Sequence, residues 1–292
     1  MTTAPRLVLD APLAHLRWSA APAAANARPP VLLLHGVGGG RGAWMANAPS
    51  LAAAGFEVLA VDAPGYGDST SIEPCTLAGM ARAVLALIDA LALGPAIVVG
   101  HSMGGMVAQE LVALAPQQVA GLVLASTSPA FGKPGGDWQQ AFLQDRFAPL
   151  DAGLGMAGLA AQLVPAMAGA QMPAQAMAAA QALMAGVPEA GYRAALTALV
   201  NFDQRAGLAA IHQPTLVITG AHDRTAAAEV ARRMAERIPG ARLAIVPGAS
   251  HLLPMGSPVA FNAVVLGFLL DHWPGTSTAT QTTRPTSPGA LR

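Results

Sequence analysis

The sequence predicts an α/β fold in which a mostly parallel sheet is covered by helices on both faces. Short apolar runs, such as Val31–Leu34 and Val119–Ala125, alternate along the chain with segments whose apolar residues recur at helical spacing. Strands that are apolar on both faces are typical of parallel sheets buried between two helical layers. The 292 residues are 53% hydrophobic and 11% charged, so the chain can supply one large core and an insertion.

The predicted elements follow one another in a regular order. An opening hairpin is predicted from residues 7–9 and 14–18. Further strands are predicted at residues 31–34, 57–61, 96–99, 119–125, 215–219 and 243–246. Helices are predicted at residues 44–54, 77–91, 106–115, 226–238 and 258–271. This alternation indicates a parallel sheet whose crossover connections are helices.

The alternation stops between Pro129 and about Arg205. This stretch is rich in Ala, Gly, Gln and Met, and its composition favours helix. We therefore predict a helical cap at residues 129–205, inserted between core segments 1–128 and 206–273. Ligands of open α/β sheets bind at the carboxyl ends of the strands, so the cap is expected to cover a site there. Its methionines are expected mainly to fill gaps in packing.

Composition and charge exclude several classes of protein. The chain has 16 basic and 16 acidic residues, and no basic stripe suggests a nucleic-acid partner. The single Cys75 excludes an internal disulfide and a cysteine-based metal cluster. Residues 1–20 lack the pattern of a signal peptide, and no run of about 18 apolar residues could span a membrane. We expect a cytoplasmic protein with a disordered tail at residues 274–292, which are rich in Thr, Ser, Pro and Gly.

The most informative motif is Gly100-His101-Ser102-Met103-Gly104, which lies between a predicted strand and a predicted helix. A G-x-S-x-G sequence in this setting is the pattern of a nucleophile elbow. The sharp turn needs glycines two residues before and two residues after the serine, and it exposes the serine hydroxyl at the end of the sheet. Ser102 is therefore the candidate nucleophile.

A serine nucleophile needs a base, and the base needs a group that orients it. His251 follows the last predicted strand and is the candidate base. Asp223 follows the strand at residues 215–219 and is the candidate acid, although it could instead cap the helix that begins near Ala226. The order Ser, Asp, His agrees with a nucleophile-elbow enzyme.

Other histidines and carboxylates are less suitable for these roles. His15, His212 and His272 lie away from the carboxyl ends of the central strands, and His222 is expected to be a loop residue. The side chain of His101 is expected to point away from the base. Residues 126–128 contain no carboxylate, and Asp62 belongs to a turn of structural character.

The glycine-rich loop at residues 35–40 follows a buried strand. Glycines let a backbone approach a ligand closely, so the N–H groups of Val37 and Met103 are the candidate oxyanion donors. The loop could alternatively bind phosphate. It lacks the Lys-Ser/Thr of a P-loop and the spacing of a dinucleotide fingerprint, so we favour the oxyanion role.

Taken together, residues 31–271 resemble the α/β-hydrolases of the serine-nucleophile branch. The resemblance rests on the loop after Leu34, the turn at residues 62–69, the elbow, Asp223 and His251, in that order. It implies an α/β-hydrolase fold with a small helical cap. Residues 100–110, the start of the insertion and residues 201–203 look most similar to carboxylesterases and 3-oxoadipate enol-lactonases.

The resemblance implies a catalytic triad of Ser102, Asp223 and His251, with Val37 and Met103 as oxyanion donors. Two features depart from relatives. Leu252 follows the histidine, where carbon–carbon bond hydrolases usually carry Trp, and Thr225-Ala226-Ala227 stands where many relatives place a Pro. We expect hydrolysis of a small carboxylic ester or lactone without a metal or an organic cofactor. A carbon–carbon bond hydrolase, a cofactor-free oxidase or perhydrolase and a non-catalytic binding module remain as alternatives.

The expected partner is a small molecule, with neither nucleic acid nor membrane involved, and the sequence does not indicate an oligomeric state. The substrate pocket is expected to be apolar and to lie between the sheet and the cap. Its predicted lining residues are Trp44, Trp138, Met156 and Leu253. An acidic substrate would need a cation, for which the cap offers Lys133, Arg146 and Arg193.

Overall fold

Eight strands form one sheet in this computed structural model, which describes residues 4–20, 28–132 and 136–275. The strands are β1 (Arg6–Val8), β2 (His15–Trp18), β3 (Val31–Leu34), β4 (Val58–Val61), β5 (Ala96–His101), β6 (Val119–Ala125), β7 (Thr215–Gly220) and β8 (Arg242–Val246). Their order across the sheet is β1-β2-β4-β3-β5-β6-β7-β8. Strands β1 and β2 pair antiparallel, β2 also pairs antiparallel with β4, and all other pairs are parallel.

Helices cover both faces of this sheet. They are α1 (Ala48–Ala53), α2 (Leu77–Ala90), α3 (Met103–Leu114), α4 (Asp137–Asp151), α5 (Gly155–Ala168), α6 (Ala174–Ala185), α7 (Glu189–Leu199), α8 (Ala228–Arg237), α9 (Leu253–Gly256) and α10 (Pro258–His272). Short 3₁₀ turns occur at Arg41–Trp44, Pro116–Gln118 and Leu208–Ala210. The α/β fold class predicted from the sequence is confirmed. No helix in the described part of the chain is long and apolar enough to cross a membrane.

The core lies in two layers, one on each face of the sheet. Along β3, Leu32 and Leu34 belong to one buried cluster, whereas Val31 and Leu33 belong to the other. The same alternation holds in β4, β5 and β6, because successive side chains of a strand point to opposite faces. Helices α2, α3 and α8 pack on the first face, and α1 and α10 pack on the second. The continuous apolar strands of the sequence thus reflect burial on both sides.

Two predicted helices differ from the observed ones. Residues 44–54 form a 3₁₀ turn and then α1, with Pro49 in the first turn of α1. Proline is favoured in the first turn of a helix, where its missing N–H leaves no bond unmade, and this is consistent with a helix that begins next to Pro49 rather than at residue 44. The helix predicted at 106–115 instead begins at Met103, directly after Ser102.

The predicted helical insertion is present as α4 to α7, between β6 and β7. The chain leaves and re-enters the core at one place, which we call the neck. There the N–H of Phe131 donates to the oxygen of Phe202 (3.0 Å), and the N–H of Gln204 donates to that of Pro129 (2.7 Å). A β-bridge joins Ala130 to Asp203 at the same position. Most of the predicted tail, residues 276–292, lies outside the described residues.

Candidate active site

Ser102 lies at a sharp turn between β5 and α3. Its backbone has φ 52° and ψ −116°, in a region that residues with a side chain rarely adopt. The turn is closely packed, because a Cβ at Gly104 would overlap the carbonyl oxygen of Leu34 and one at Gly100 would overlap the carbonyl of Gly104. These contacts explain the two glycines of the motif. They also place Ser102 at the carboxyl end of the central parallel strands.

Neighbouring groups hold the backbone of Ser102 in this conformation. The N–H of Ser102 donates to the oxygen of Ala125 at 2.9 Å. The hydroxyl of Thr127 donates to the oxygen of Ser102 at 2.7 Å. Ala125 is the last residue of β6 and Thr127 follows it, so the end of the neighbouring strand and the loop after it fix the turn. The sequence analysis did not assign this role to Thr127.

The structure brings the three predicted triad residues together. Nε2 of His251 lies 3.1 Å from Oγ of Ser102. Nδ1 of the same ring lies 3.0 Å from Oδ2 and 3.2 Å from Oδ1 of Asp223. His251 and Asp223 are both 4% exposed, so their interaction is shielded from water. This geometry allows a proton to pass from the serine to a histidine that a carboxylate orients.

Asp223 is held as a carboxylate by several donors. Its Oδ1 accepts hydrogen bonds from the N–H groups of Thr225 and Ala226, each at 2.8 Å. Burial raises the pKa of Asp223, but the hydrogen bond and charge of His251 and the two backbone donors outweigh it and lower the pKa below its usual value. Orientation of the histidine and capping of the loop before α8 are therefore compatible roles for one side chain.

His101 contacts the candidate base, contrary to the expectation that its side chain points away. Its Nε2 donates to the main-chain oxygen of His251 at 2.8 Å, and the two rings lie 5.2 Å apart. Burial, aided by the charge of His251, lowers the pKa of His101 to about 3, so its ring is neutral near pH 7. The prediction was wrong because the contact joins residues 150 positions apart.

The loop after β3 is braced beside Ser102. The hydroxyl of Tyr66 donates to the oxygen of Val37 at 3.0 Å, and the N–H of Gly39 donates to the oxygen of Gly36 at 2.9 Å. Among the described residues, the N–H of Val37 has no acceptor. Met103 is the first residue of α3, where N–H groups have no partner within the helix. The oxyanion role of these two N–H groups stays a prediction.

Ser102 and His251 line two cavities, which we call the small and the large compartment. The small compartment has a volume of about 50 Å³ and is mostly apolar, with Trp44, Leu252 and Met255 in its wall. The large compartment has a volume of about 530 Å³ and extends below the cap. Val37 and Gly38 also line both, so the loop after β3 stands at their junction.

The four predicted lining residues have different positions. Trp44 lines the small compartment and Trp138 lines the large one. Met156 and Leu253 are buried in the core and line neither, so these two predictions were wrong. Helix α5 instead presents Leu163 and Met167 to the large compartment. Around Leu253, the side chains that face the small compartment are those of Leu252, Pro254 and Met255.

The three cations predicted in the cap differ in whether they line the large compartment. Arg193 is ion-paired with Asp151 (2.6 Å) and Glu189 (2.9 Å) and lies outside the large compartment, so it is not a free anion-binding group. Arg146 lines that compartment. Lys133 lies outside the described residues. Arg224, which the sequence analysis did not single out as a cation, also lines the compartment.

Comparison with known proteins agrees with this architecture. The profile of a family described as the alpha/beta hydrolase fold matches residues 29–258. Over 256 residues the chain is 33% identical to a pimeloyl-[acyl-carrier protein] methyl ester esterase of Edwardsiella ictaluri, which covers 82% of this chain and 92% of that protein. The structure of a thermophilic esterase from Thermogutta terrifontis superposes with a TM-score of 0.80 at 25% identity, covering 89% of this chain and 94% of that one.

A further relative is longer than the matched region. The dihydrolipoyllysine-residue acetyltransferase component of the acetoin cleaving system of Pseudomonas putida is 32% identical over 251 residues. The match covers 83% of this chain and 64% of that protein. This chain thus spans just under two thirds (64%) of the length of that relative.

Proposed function

The chain belongs to the α/β hydrolase fold family, and we propose that it is a serine hydrolase that cleaves a small carboxylic ester or lactone. The observation that carries the proposal is the chain of contacts from Oγ of Ser102 through His251 to Asp223. The esterases among the similar proteins support the ester as the bond that is cleaved.

In the proposed reaction, Oγ of Ser102 attacks the carbonyl carbon while Nε2 of His251 takes the hydroxyl proton. Asp223 keeps the proton of the ring on Nδ1 and stabilises the imidazolium that forms. The tetrahedral intermediate collapses to an acyl-enzyme, and His251 returns the proton to the departing alkoxide. Water then attacks the acyl-enzyme by the same route and releases the acid. Each step uses groups of the chain and water alone.

The N–H groups of Val37 and Met103 are proposed to bind the oxyanion. Both belong to backbone segments that are held before substrate arrives, by Tyr66 in one case and by the start of α3 in the other. Donors that are already oriented do not have to reorganise as charge develops, and each such donor contributes about 10²- to 10³-fold to the rate. The loop and the elbow thus supply the electrostatic part of catalysis.

The test is hydrolysis of p-nitrophenyl acetate together with labelling by a fluorophosphonate probe, in the wild type and in Ser102→Ala. We expect both signals to be lost in the variant, with kcat lowered by about 10⁴-fold or more. Ser71→Ala, which changes an exposed serine, is the matched control and should keep both.

A folded wild-type protein that neither turns over the ester nor reacts with the probe would contradict the proposal and favour a binding module. Labelling of Ser102 without ester turnover would instead direct attention to carbon–carbon bond cleavage or to perhydrolysis on the same triad.

A further inference from the structure

Arg146 and Arg224 line the same large compartment as Ser102. Arg146 belongs to α4 of the cap, whereas Arg224 follows Asp223 in the core. We infer that these two arginines select an ester or lactone that carries a carboxylate on the branch occupying the large compartment. The inference rests on the proposed acyl transfer at Ser102 and specifies the substrate class for that site.

Neither guanidinium has an acidic partner among the described residues. None of the described residues lining the large compartment is an Asp or a Glu. Of the other eleven arginines in the described ranges, six are ion-paired: Arg17, Arg41, Arg193, Arg205, Arg233 and Arg242. The chain has no net charge, so the two unpaired cations in this compartment do not follow from a generally basic surface. They give the compartment a local positive potential that attracts an anion.

Arg146 is already oriented within the compartment. Its guanidinium carbon lies 4.7 Å from the centre of the Phe142 ring, which is a cation–π contact. Tyr192 lines the same space, and its hydroxyl makes no hydrogen bond among the described residues. A planar guanidinium can hold a carboxylate by two parallel N–H bonds, and a side chain that is fixed beforehand loses little freedom on binding. The compartment therefore offers donors suited to a carboxylate.

The sizes of the two compartments add a second requirement. A carbonyl attacked by Ser102 has two substituents, and Ser102 lies where the compartments of about 50 and 530 Å³ meet. The small, apolar compartment suits a short uncharged branch. The large one suits the longer branch that ends in the carboxylate. A monoester of a dicarboxylic acid with a small alcohol has both features.

The experiment compares two methyl esters with the same six-carbon acyl chain, monomethyl adipate and methyl hexanoate. Methanol release gives kcat/KM for each ester, and the ratio of the two values is the readout. Because a general loss of folding lowers both values, the ratio isolates recognition of the charge. The variants are Arg146→Gln and Arg224→Gln, with Arg232→Gln as the control because Arg232 is exposed and does not line the compartment.

We expect the wild type to prefer monomethyl adipate by tenfold or more, and each cavity variant to reduce the ratio by about ten- to hundredfold, as expected for a hydrogen bond to a charged group. Arg232→Gln should leave the ratio unchanged, and added salt should lower it. A wild-type ratio near one, or a ratio that neither cavity variant changes, would overturn the inference.

A binding measurement separates this inference from the proposed function. Ser102→Ala, which cannot form the acyl-enzyme, is titrated with monomethyl adipate in a calorimeter, with and without Arg146→Gln. Binding that weakens tenfold or more in the double variant supports the carboxylate site even if the wild type hydrolyses no ester. Absence of binding, together with Ser102-dependent hydrolysis of p-nitrophenyl acetate, overturns the inference and leaves the proposed hydrolase intact.

Discussion

Nε2 of His101 lies 2.8 Å from the main-chain oxygen of His251, so the nucleophile elbow also holds the loop that carries the candidate base. His101 precedes Ser102 in the chain, and one short segment therefore positions two members of the proposed triad. The bond needs a proton on Nε2, and the low pKa of His101, about 3, leaves the ring neutral with Nδ1 free of a proton. His101 is thus a candidate positioning residue.

Replacing His101 by Phe should lower kcat by about 10- to 100-fold, because a catalytic group that shifts by about 1 Å can lose that much rate. The ring volume is approximately kept while the donor is lost. His101→Gln keeps a donor and should recover part of kcat. Steady-state kinetics on p-nitrophenyl acetate measures both variants, and an unchanged kcat in His101→Phe would exclude the positioning role.

The lowered pKa of His101 predicts that the free energy of unfolding depends on pH. An imidazole in the unfolded chain has a pKa of about 6.5, whereas burial lowers that of folded His101 to about 3. Between pH 6.5 and pH 3, the imidazole of His101 binds a proton in the unfolded chain but not in the folded protein. The stability that this neutral ring contributes is therefore complete above pH 6.5 and is lost as the pH falls towards 3. Urea unfolding at pH 7 and pH 5 should show that the wild type loses about 2 kcal/mol more than His101→Gln.

His15 and His35 also have lowered pKa values because of burial, and they remain in both proteins. Only the difference between the wild type and His101→Gln therefore reports on His101. Parallel curves for the two proteins between pH 7 and pH 5 would show that His101 is not buried as a neutral ring.

Asp223→Asn should reduce kcat on the order of 10⁴-fold while the protein stays folded. The N–H groups of Thr225 and Ala226 hold the single oxygen of the substituted side chain on their side. The NH₂ group of that side chain therefore faces Nδ1 of His251. The proton of the ring then moves to Nε2, which can no longer accept from Ser102. Asp62→Asn is the contrasting variant, because Asp62 is buried and paired with Arg41 beside the loop after β3. We expect it to lower stability more than kcat.

Ser102→Gly should be more stable than Ser102→Ala by about 1 kcal/mol, although both are inactive. The backbone of Ser102 has a φ of 52°, which glycine adopts without the penalty that a Cβ incurs. Thermal unfolding of the two variants tests the prediction. Equal or lower stability of the glycine variant would indicate that the turn stores no strain.

Gly104→Ala should prevent folding or destabilise the protein by 1–3 kcal/mol or more, since the new Cβ would overlap the carbonyl oxygen of Leu34. Gly267→Ala is the matched control in the interior of α10, where an added Cβ meets no atom within 4 Å. That variant should gain up to about 1 kcal/mol, because alanine favours helix more than glycine does. A similar loss in both variants would contradict the packing argument.

The sequence was most informative about features that are local in the chain. The strands could be predicted because burial on two faces makes them continuously apolar, and Ser102 could be identified because its turn needs glycines at fixed positions. Asp223 and His251 could be located because each follows a strand, and parallel strands bring their carboxyl ends together. Their catalytic roles stay a prediction until the variants are measured.

Features that depend on side-chain direction could not be predicted in this way. Apart from Gln162, helix α5 has no polar side chain, so its sequence does not show that Met156 packs in the core while Met167 faces the cavity. The contact of His101 with His251, and the cavity that Arg146 and Arg224 both line, each involve residues far apart in the chain. No spacing rule relates such residues, because the fold alone determines which of them face one cavity.

The neck at residues 129–131 and 202–204 has a consequence for how related enzymes can diverge. Two backbone hydrogen bonds, which together form the β-bridge between Ala130 and Asp203, hold both ends of the cap at one place, and the three triad residues lie on the core side of it. A foreign cap cut at these positions could be grafted without altering the sheet. Such a chimaera would exchange Arg146, Trp138 and Phe142 of the large compartment while it retained the three triad residues. The part of substrate selection that depends on the cap could therefore change while Arg224 and the three triad residues stay in the core.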